Sequence, residues 1–308
     1  MLKEYRIIIV GFGNLGSRYL EGLLKSNLNI SVDIYDINYA KKNLQEHNDM
    51  KVFFHNTFNT LRFNNYDLLI NATPSKDRYS LIKYFTDHFE IKYFVLEKVL
   101  SNNLQDLQDF QNLFDNNCWV NTFLRTLPIF QDLKNKLNNK NLIFNVSGGG
   151  WGLCCNSIHY IDLVSWLTGS KIETISTKKL SSVWFNSKRK GYKEVNGILI
   201  IKYEDGTFLN IECDDSDKNL KISLKGKNLI FEYNIISGDY VFNSKKGNKN
   251  IPYQSSMTCN LINQILVNGI CKLTPLNESL NQHKIYIDSM IKHWNSSNQF
   301  NHVEVQIT

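Results

Sequence analysis

The feature that most constrains this chain is a glycine spacing near its start. Gly11, Gly13 and Gly16 form G-x-G-x-x-G directly after a near-continuous apolar run at 6–10 and directly before Leu15, Tyr19, Leu20, Leu23 and Leu24, which share one helical face. An unbroken apolar run of that length is the mark of a strand buried on both faces. In a strand–turn–helix unit the first glycine permits the tight turn. The second lets backbone approach a diphosphate, and the third allows close helix–strand packing. The start of the helix adds free N–H groups and a positive dipole end. Gly11, Phe12, Gly13, Asn14, Leu15 and Gly16 are therefore the expected dinucleotide-binding turn. Asp36 lies 20 residues past Gly16, at the end of the next predicted strand, where a carboxylate can accept both hydroxyls of a ribose. Its charge would repel a 2′-phosphate, which favours NAD over NADP, although Lys41 and Lys42 work against that preference.

The alternation continues. Predicted strands at 30–35, 66–71 and 93–96 end at Asp36, at Ala72-Thr73-Pro74 and at Glu97-Lys98, with helical patterns between them. Strands alternating with helices imply a doubly wound parallel α/β sheet with right-handed crossovers. After about residue 122 the pattern changes. A strand at 142–147 and a helix at 154–167 precede apolar runs joined by tight turns: 198–203 and 208–213 across Asp205-Gly206, and 220–224 and 229–233 across Lys225-Gly226. Two helices close the chain. One covers 257–267 and stops at Gly269; the other carries Leu280, His283, Ile287, Met290, Ile291 and Trp294 along one stripe. The expected organisation is a dinucleotide-binding domain over 1–121 and an α+β domain with an open, mainly antiparallel sheet over 122–308. There is no internal repeat, and only the last few residues read as dispensable.

Composition removes other classes. Of 308 residues, 42% are hydrophobic and 21% charged, which is globular composition. No apolar stretch approaches the ~18 residues of a membrane span, and the charged start lacks the apolar segment of a secretory signal. The six cysteines show no Cys-x-x-Cys pair and no zinc-site spacing with histidine, so neither a disulfide scaffold nor a metal is expected. A formal charge of +6 is modest, and its local concentrations at Ser187-Lys188-Arg189-Lys190 and Ser244-Lys245-Lys246 read as solvated surface. A cytoplasmic protein without nucleic-acid or membrane partners is expected.

Two places carry candidate chemistry. Thr73-Pro74 and Lys98 fall at the carboxyl ends of predicted parallel strands, where open α/β sheets place ligands. A lysine beside a nicotinamide can donate a proton or a hydrogen bond to a reacting oxygen. The second place is Gly148-Gly149-Gly150-Trp151-Gly152 followed by the helix holding Cys155, Asn156, His159 and Asp162 on one stripe. His159 is the residue type best suited to proton transfer near neutral pH. Asp162 reads as structural.

These residues together resemble the Gfo/Idh/MocA oxidoreductases, the glucose-fructose oxidoreductase and inositol dehydrogenase relatives. The resemblance is carried by Gly11/Gly13/Gly16, Asp36, Ala72-Thr73-Pro74, Glu97-Lys98, Arg125 with Pro128, and the stretch from Gly148 through His159-Tyr160-Ile161-Asp162 to Trp166-Leu167-Thr168-Gly169. It implies a Rossmann domain, a second domain on an open antiparallel sheet, and an active site between them. It also implies NAD(P)-dependent hydride transfer at a carbinol or keto carbon of a sugar, nucleotide sugar or cyclitol. The catalytic roles fall on Lys98 and His159. Thr73, Pro74, Glu97 and Lys98 join the cofactor set, while Arg125, Trp151, Cys155, Asn156 and Tyr160 join Lys98 and His159 in the substrate set. Lys188, Arg189 and Tyr192 are weaker substrate candidates, whose charge suits a phosphorylated, nucleotide-linked or acidic sugar.

Two departures stand out. Val99 replaces the family's proline after the lysine and so removes the residue that favours a cis peptide there. Cys155 replaces an acidic residue four before the histidine, which leaves proton transfer to Lys98 and His159. A third position, Arg78, stands near where relatives often carry a histidine. The replaced acid keeps open a catalytically silent dinucleotide-binding regulator, and the same fold acting on a non-sugar is the other alternative. Pairing of the second domain's sheet, as in relatives, predicts a homodimer or homotetramer, since Ile198, Ile200, Leu199 and Ile201 make both faces of one strand apolar.

Overall fold

The computed structural model describes residues 3–38, 51–137 and 140–308; Lys41 and Lys42 lie outside the described residues. In chain order the elements are β1 (Tyr5–Val10), α1 (Asn14–Leu23), β2 (Ile30–Tyr35), β3 (Lys51–His55), β4 (Asn65–Asn71), α2 (Arg78–His88), β5 (Glu90–Leu96), α3 (Leu104–Asp109) and β6 (Cys118–Val120). There follow α4 (Pro128–Lys134), β7 (Ile143–Gly149), α5 (Leu153–Thr168), β8 (Ile172–Asn186), β9 (Lys193–Tyr203), β10 (Phe208–Asp214), β11 (Lys221–Gly226), β12 (Leu229–Asn234), β13 (Asp239–Phe242) and β14 (Lys245–Asn248). The chain closes with α6 (Gln254–Asn268), β15 (Thr274–Pro275) and α7 (Leu276–Asn298).

The chain forms two compact units. The first comprises Met1–Glu97, Asp109–Asn121 and Pro252–Leu276; the second comprises Lys98–Gln108, Thr122–Ile251 and Asn277–Thr308. The chain thus crosses between units at 121/122, where a single boundary was expected, and at four further places.

The first unit is built on a sheet ordered β15-β6-β5-β4-β1-β2-β3, parallel except for β15 against β6. β1 pairs with both β2 and β4, so the strand order reverses there and opens a crevice at the carboxyl ends. The central strands are buried end to end, as their unbroken apolar runs require: Ile7, Ile8, Ile9 and Val10 are fully covered. Strands β3 and β6 were not anticipated. One is an edge strand whose residues are mostly exposed or half-buried, and the other is three residues long. One face of the sheet is covered by α1 and, from the far end of the sequence, by α6, whose Ile262, Ile265 and Leu266 share a core with Leu20, Leu23, Ile34 and Ile70. Gly22 makes this docking possible: a Cβ there would stand 2.6 Å from Thr258 Cβ and 2.7 Å from the Ser255 carbonyl oxygen.

The second unit holds an eight-stranded sheet ordered β14-β13-β12-β11-β7-β10-β9-β8, antiparallel except for the β7–β10 pair. Both predicted hairpins form. In the second, Gly226 pairs with Leu229, so the turn lies at Lys227-Asn228 rather than at Lys225-Gly226. Ile222, Leu224, Phe231 and Tyr233 point to the buried face, the period-2 alternation of a sheet covered on one side. On β9 the buried set is Leu199, Ile201 and Tyr203, while Ile198, Ile200 and Lys202 are half-buried. The last residues are not dispensable. Val305 and Ile307 are fully buried, the Val305 N–H donates to the Asn102 carbonyl (3.0 Å), and the Lys193 N–H donates to the Gln306 carbonyl (2.7 Å).

All six cysteines are free thiols. Among the described residues no helix is long and apolar enough to cross a membrane, and no cluster of three or more His, Cys, Asp or Glu could hold a metal.

Candidate functional site

The glycine turn of the first unit sits at the β1/β4 crevice, and each of its glycines has a different reason to be there. Gly11 has φ 89°, the left-handed region, and a Cβ on it would come within 2.9 Å of Thr73 Cγ2. A Cβ on Gly16 would stand 2.1 Å from the Gly11 carbonyl oxygen, so α1 packs directly on the turn. Gly13 has neither reason. Its backbone is extended with φ −79°, and among the described residues no atom lies within 4 Å of where its Cβ would stand. Among the described residues no side chain caps α1, and no acidic residue occupies its first turn. The result is a bare helix N-terminus facing open space, which fits the diphosphate of a dinucleotide. Asp36 stands beside it, with Oδ2 accepting the Phe12 N–H (2.6 Å) and Oδ1 the Asn38 N–H (2.8 Å).

At the end of β4 the Thr73 hydroxyl donates to Asn71 Oδ1 (2.9 Å), and the buried Asn71 Nδ2 has no partner among the described residues. Pro74 is exposed. Arg78, the first residue of α2, is only 1% exposed; its guanidinium donates to the Thr73 carbonyl through Nη2 and to the Glu97 carbonyl through Nη1. The Glu97 carboxylate in turn accepts from the Tyr19 hydroxyl and from Asn121 Nδ2 (2.7 Å). Burial and the adjacent Glu97 charge push the Tyr19 phenol well up, so it stays a donor.

The chain passes from Glu97 straight to Lys98, the first residue of the second unit's share. The Lys98–Val99 peptide is cis with valine in place of proline, so the cis bond that the replacement was expected to remove or alter is not lost. Lys98 Nζ donates to the Cys155 carbonyl (2.8 Å) and to Asn156 Oδ1 (3.3 Å), both on the first turn of α5. Asn156 is held from its other end, where Nδ2 donates to the carbonyls of Trp151 (2.8 Å) and Gly152 (3.2 Å). The start of α5 is closed by a buried carboxylate from β9: Glu194 accepts the N–H groups of Cys154 (2.6 Å) and Cys155 (3.2 Å). Burial raises the Glu194 carboxyl above the usual range. Burial also pushes the Cys155 thiol up to about 11, so it is neutral and cannot act as an acidic residue would.

His159 lies one turn further along α5, 8% exposed, with the Phe123 ring edge-on at 5.1 Å. Burial holds its imidazole well below the usual histidine range, reinforced by the Lys98 charge and by His283. It is therefore a neutral base at pH 7, and its Nδ1 is buried with no partner among the described residues. Lys98, Cys155, Asn156 and His159 thus belong to one cluster.

The remaining substrate candidates have partners of their own. Arg125 is buried and spends its guanidinium on Asp162, through Nε (2.9 Å) and Nη2 (2.5 Å), and on Glu278 (3.1 Å). Arg125 and Asp162 thus form a buried ion pair. Tyr160 is buried against Trp151 at 5.6 Å, its phenol pushed up by burial, and Trp151 donates through Nε1 to the Glu212 carbonyl (3.0 Å). Lys188 and Arg189 are exposed. Sequence reasoning did not find Tyr19, Asn71, Asn121 or Glu194. None sits in a motif, and a glutamate inside a strand reads the same whether it faces water or a helix start.

No family model matches the sequence, and no curated protein sequence matches it. Solved structures do. Scyllo-inositol dehydrogenase from Lactobacillus casei, with bound NAD(H) and scyllo-inositol, shares 15% identity over 96% of this chain and 98% of its own, with a TM-score of 0.67. The WlbA dehydrogenase from Bordetella pertussis, in complex with NADH and UDP-GlcNAcA, shares 17% identity over 93% and 97%, with a TM-score of 0.66. An oxidoreductase from Agrobacterium radiobacter, in complex with NAD+, L-tartaric acid and magnesium, shares 12% over 97% and 98%, with a TM-score of 0.70. The chain has the fold of the Gfo/Idh/MocA dehydrogenase structures, a parallel Rossmann-like sheet and a second, mostly antiparallel one.

Proposed function

We propose that this protein is an NAD(H)-dependent oxidoreductase that transfers hydride between the nicotinamide and a carbinol or keto carbon of a sugar or nucleotide sugar. The observation that carries this reading is Gly13. Among the described residues neither strain nor crowding requires glycine there, and no side chain caps the N-terminus of α1. Gly11 to Gly16 would hold the diphosphate, Asp36 the adenosine ribose, and Thr73, Pro74 and Glu97 the nicotinamide side. Asp36 disfavours a 2′-phosphate, so NAD is preferred over NADP. When bound, the cofactor supplies the hydride acceptor or donor.

The chain's own residues handle the proton. His159, a neutral base by burial, takes the hydroxyl proton as a carbinol is oxidised and returns it in reduction. Lys98, held on the first turn of α5, donates a hydrogen bond to the same oxygen. Asn156, Trp151, Cys155 and Tyr160 shape the substrate side, within a functional division of 1–121 for cofactor and 122–308 for substrate. The protein works in the cytoplasm on a small molecule, as a homodimer or homotetramer through the open face of its antiparallel sheet. A cyclitol is the second reading for the substrate, supported by the likeness to a scyllo-inositol dehydrogenase.

The test is a fluorescence titration of the purified protein with NADH and separately with NADPH, followed by a turnover screen over sugars, nucleotide sugars and cyclitols. Tight NADH binding with much weaker NADPH binding is expected. Binding of neither would overturn the reading.

A further inference from the structure

We propose that Arg78 is the positioning residue of the nicotinamide side of the cofactor site: its planar fork ties the carboxyl ends of β4 and β5 together and so sets where Thr73-Pro74 and the Glu97-Lys98 step lie. This rests on the dinucleotide reading above and assigns the nicotinamide half its own holding element.

The ladder between β4 and β5 runs out at the Asn71–Leu96 pair, followed only by the Glu97 N–H to the Asn71 carbonyl at 3.1 Å. Beyond it the two strands continue into Thr73-Pro74 and into Glu97-Lys98 without a ladder to hold them in register. Arg78 bridges this gap, one Nη to the Thr73 carbonyl and the other to the Glu97 carbonyl. A guanidinium presents its N–H groups in a fixed planar fork, so the two carbonyls it binds are held at a set separation. A lysine ammonium offers the charge without the fork.

The position is costly to maintain. Arg78 is among the largest fully buried side chains, and burying a charge costs free energy that the hydrogen bonds made by its two terminal nitrogens offset. It is presented inward by Asp77, which holds a left-handed backbone (φ 59°) just before α2 begins. The carbonyls it binds belong to residues directly preceding Pro74 and Lys98, one candidate contact each. The diphosphate turn and Asp36 lie on the β1 and β2 side of the crevice, and neither is hydrogen-bonded to Arg78 in the bonds described above.

The experiment compares two ligands that differ only in the nicotinamide end, NADH and ADP-ribose, on the parent and on Arg78→Lys and Arg78→Met, by direct titration and by competition. In Arg78→Met, NADH affinity is expected to fall about tenfold, from two lost charge-assisted bonds, while ADP-ribose affinity stays within about threefold of the parent. Turnover falls by roughly 100-fold, the cost of a misplaced reacting group. Arg78→Lys keeps the charge and one bond. It gives the same pattern at smaller amplitude, and keeps the test intact if the Met variant does not fold. Loss of NADH and ADP-ribose affinity by one common factor, or unchanged NADH affinity in both variants, would overturn the proposal. A parent protein that binds neither ligand would instead overturn the dinucleotide reading itself.

Discussion

Two helices in this molecule begin after a glycine, and they begin in opposite ways. Among the described residues, α1 follows Gly13 with no side-chain cap and with nothing within 4 Å of where a Gly13 Cβ would stand. α5 follows Gly152 with its first N–H groups already taken by Glu194, whose Oε1 would stand 3.2 Å from a Cβ on Gly152. Both starts have the same partial positive charge and the same unpaired donors to satisfy. One leaves them for an anion from outside; the other uses an anion of its own. The first is suited to binding. The second holds its turn rigid, and that turn is what Lys98 grips.

Substitutions at the two sites should therefore separate turnover from binding. The largest effect is expected on the α5 side. Lys98→Met and His159→Asn should each lower turnover by about 10²–10⁴-fold, the range for a removed proton-transfer group, with ADP-ribose affinity unchanged in a titration. Turnover at the parent's rate would remove the catalytic assignment. On the α1 side, Gly13→Glu fills the open N-terminus with a carboxylate, as Glu194 fills that of α5. The fold should gain about 0.3–1 kcal/mol from the helix dipole, read by chemical denaturation. NADH affinity should drop about 100-fold, the order of the charge-assisted bonds displaced. A Gly13→Glu protein that binds NADH like the parent would show that the bare helix start is not the diphosphate site.

The reverse manipulation, Glu194→Ala, uncaps α5 and leaves two buried N–H groups unpaired. It should cost about 1–3 kcal/mol in denaturant unfolding. An unchanged midpoint would mean that water or another group takes over the cap.

The smallest effect is on pH dependence. The His159 imidazole is held below its unfolded value, so below about pH 6.5 the unfolded chain binds a proton that the folded protein does not. Stability contributed by this site is present above that pH and is lost as pH falls through it. The parent should lose stability relative to His159→Asn between about pH 7 and 5, at no more than ~1.4 kcal/mol per pH unit, in paired thermal melts. Parallel curves would show that His159 is not buried as a neutral base.

What could be read from the chain alone follows the range over which each signal acts. β1, the glycine turn, α1, β2 and Asp36 are contiguous, and their periodicities and spacings are local, so they were legible almost residue by residue. The stripe of α7 was legible for the same reason. The destination of α6 was not. Its apolar face looks alike whichever sheet it covers, and only Gly22, which a sequence reader has no reason to single out, records that it lies against α1. Arg125 shows a partner that spacing does not reveal. An arginine in a family-like motif suggested a substrate contact, whereas Asp162, 37 residues later, takes its charge. Glu194 was illegible, and Arg78 was noticed only for its place near a family histidine, because their partners are backbone groups and a backbone carbonyl or N–H leaves no mark in the sequence.

Tyr19 carries a consequence of its own. It lies six residues into the chain past Gly13, about 9 Å along the axis of α1 at 1.5 Å per residue, and its hydroxyl is bonded to the Glu97 carboxylate. One rigid rod thus joins the turn that would grip the diphosphate to the residue preceding the lysine. It works as a ruler. A change that shifts α1 along its axis, even one made for affinity at the glycine turn, would move the far mark as well.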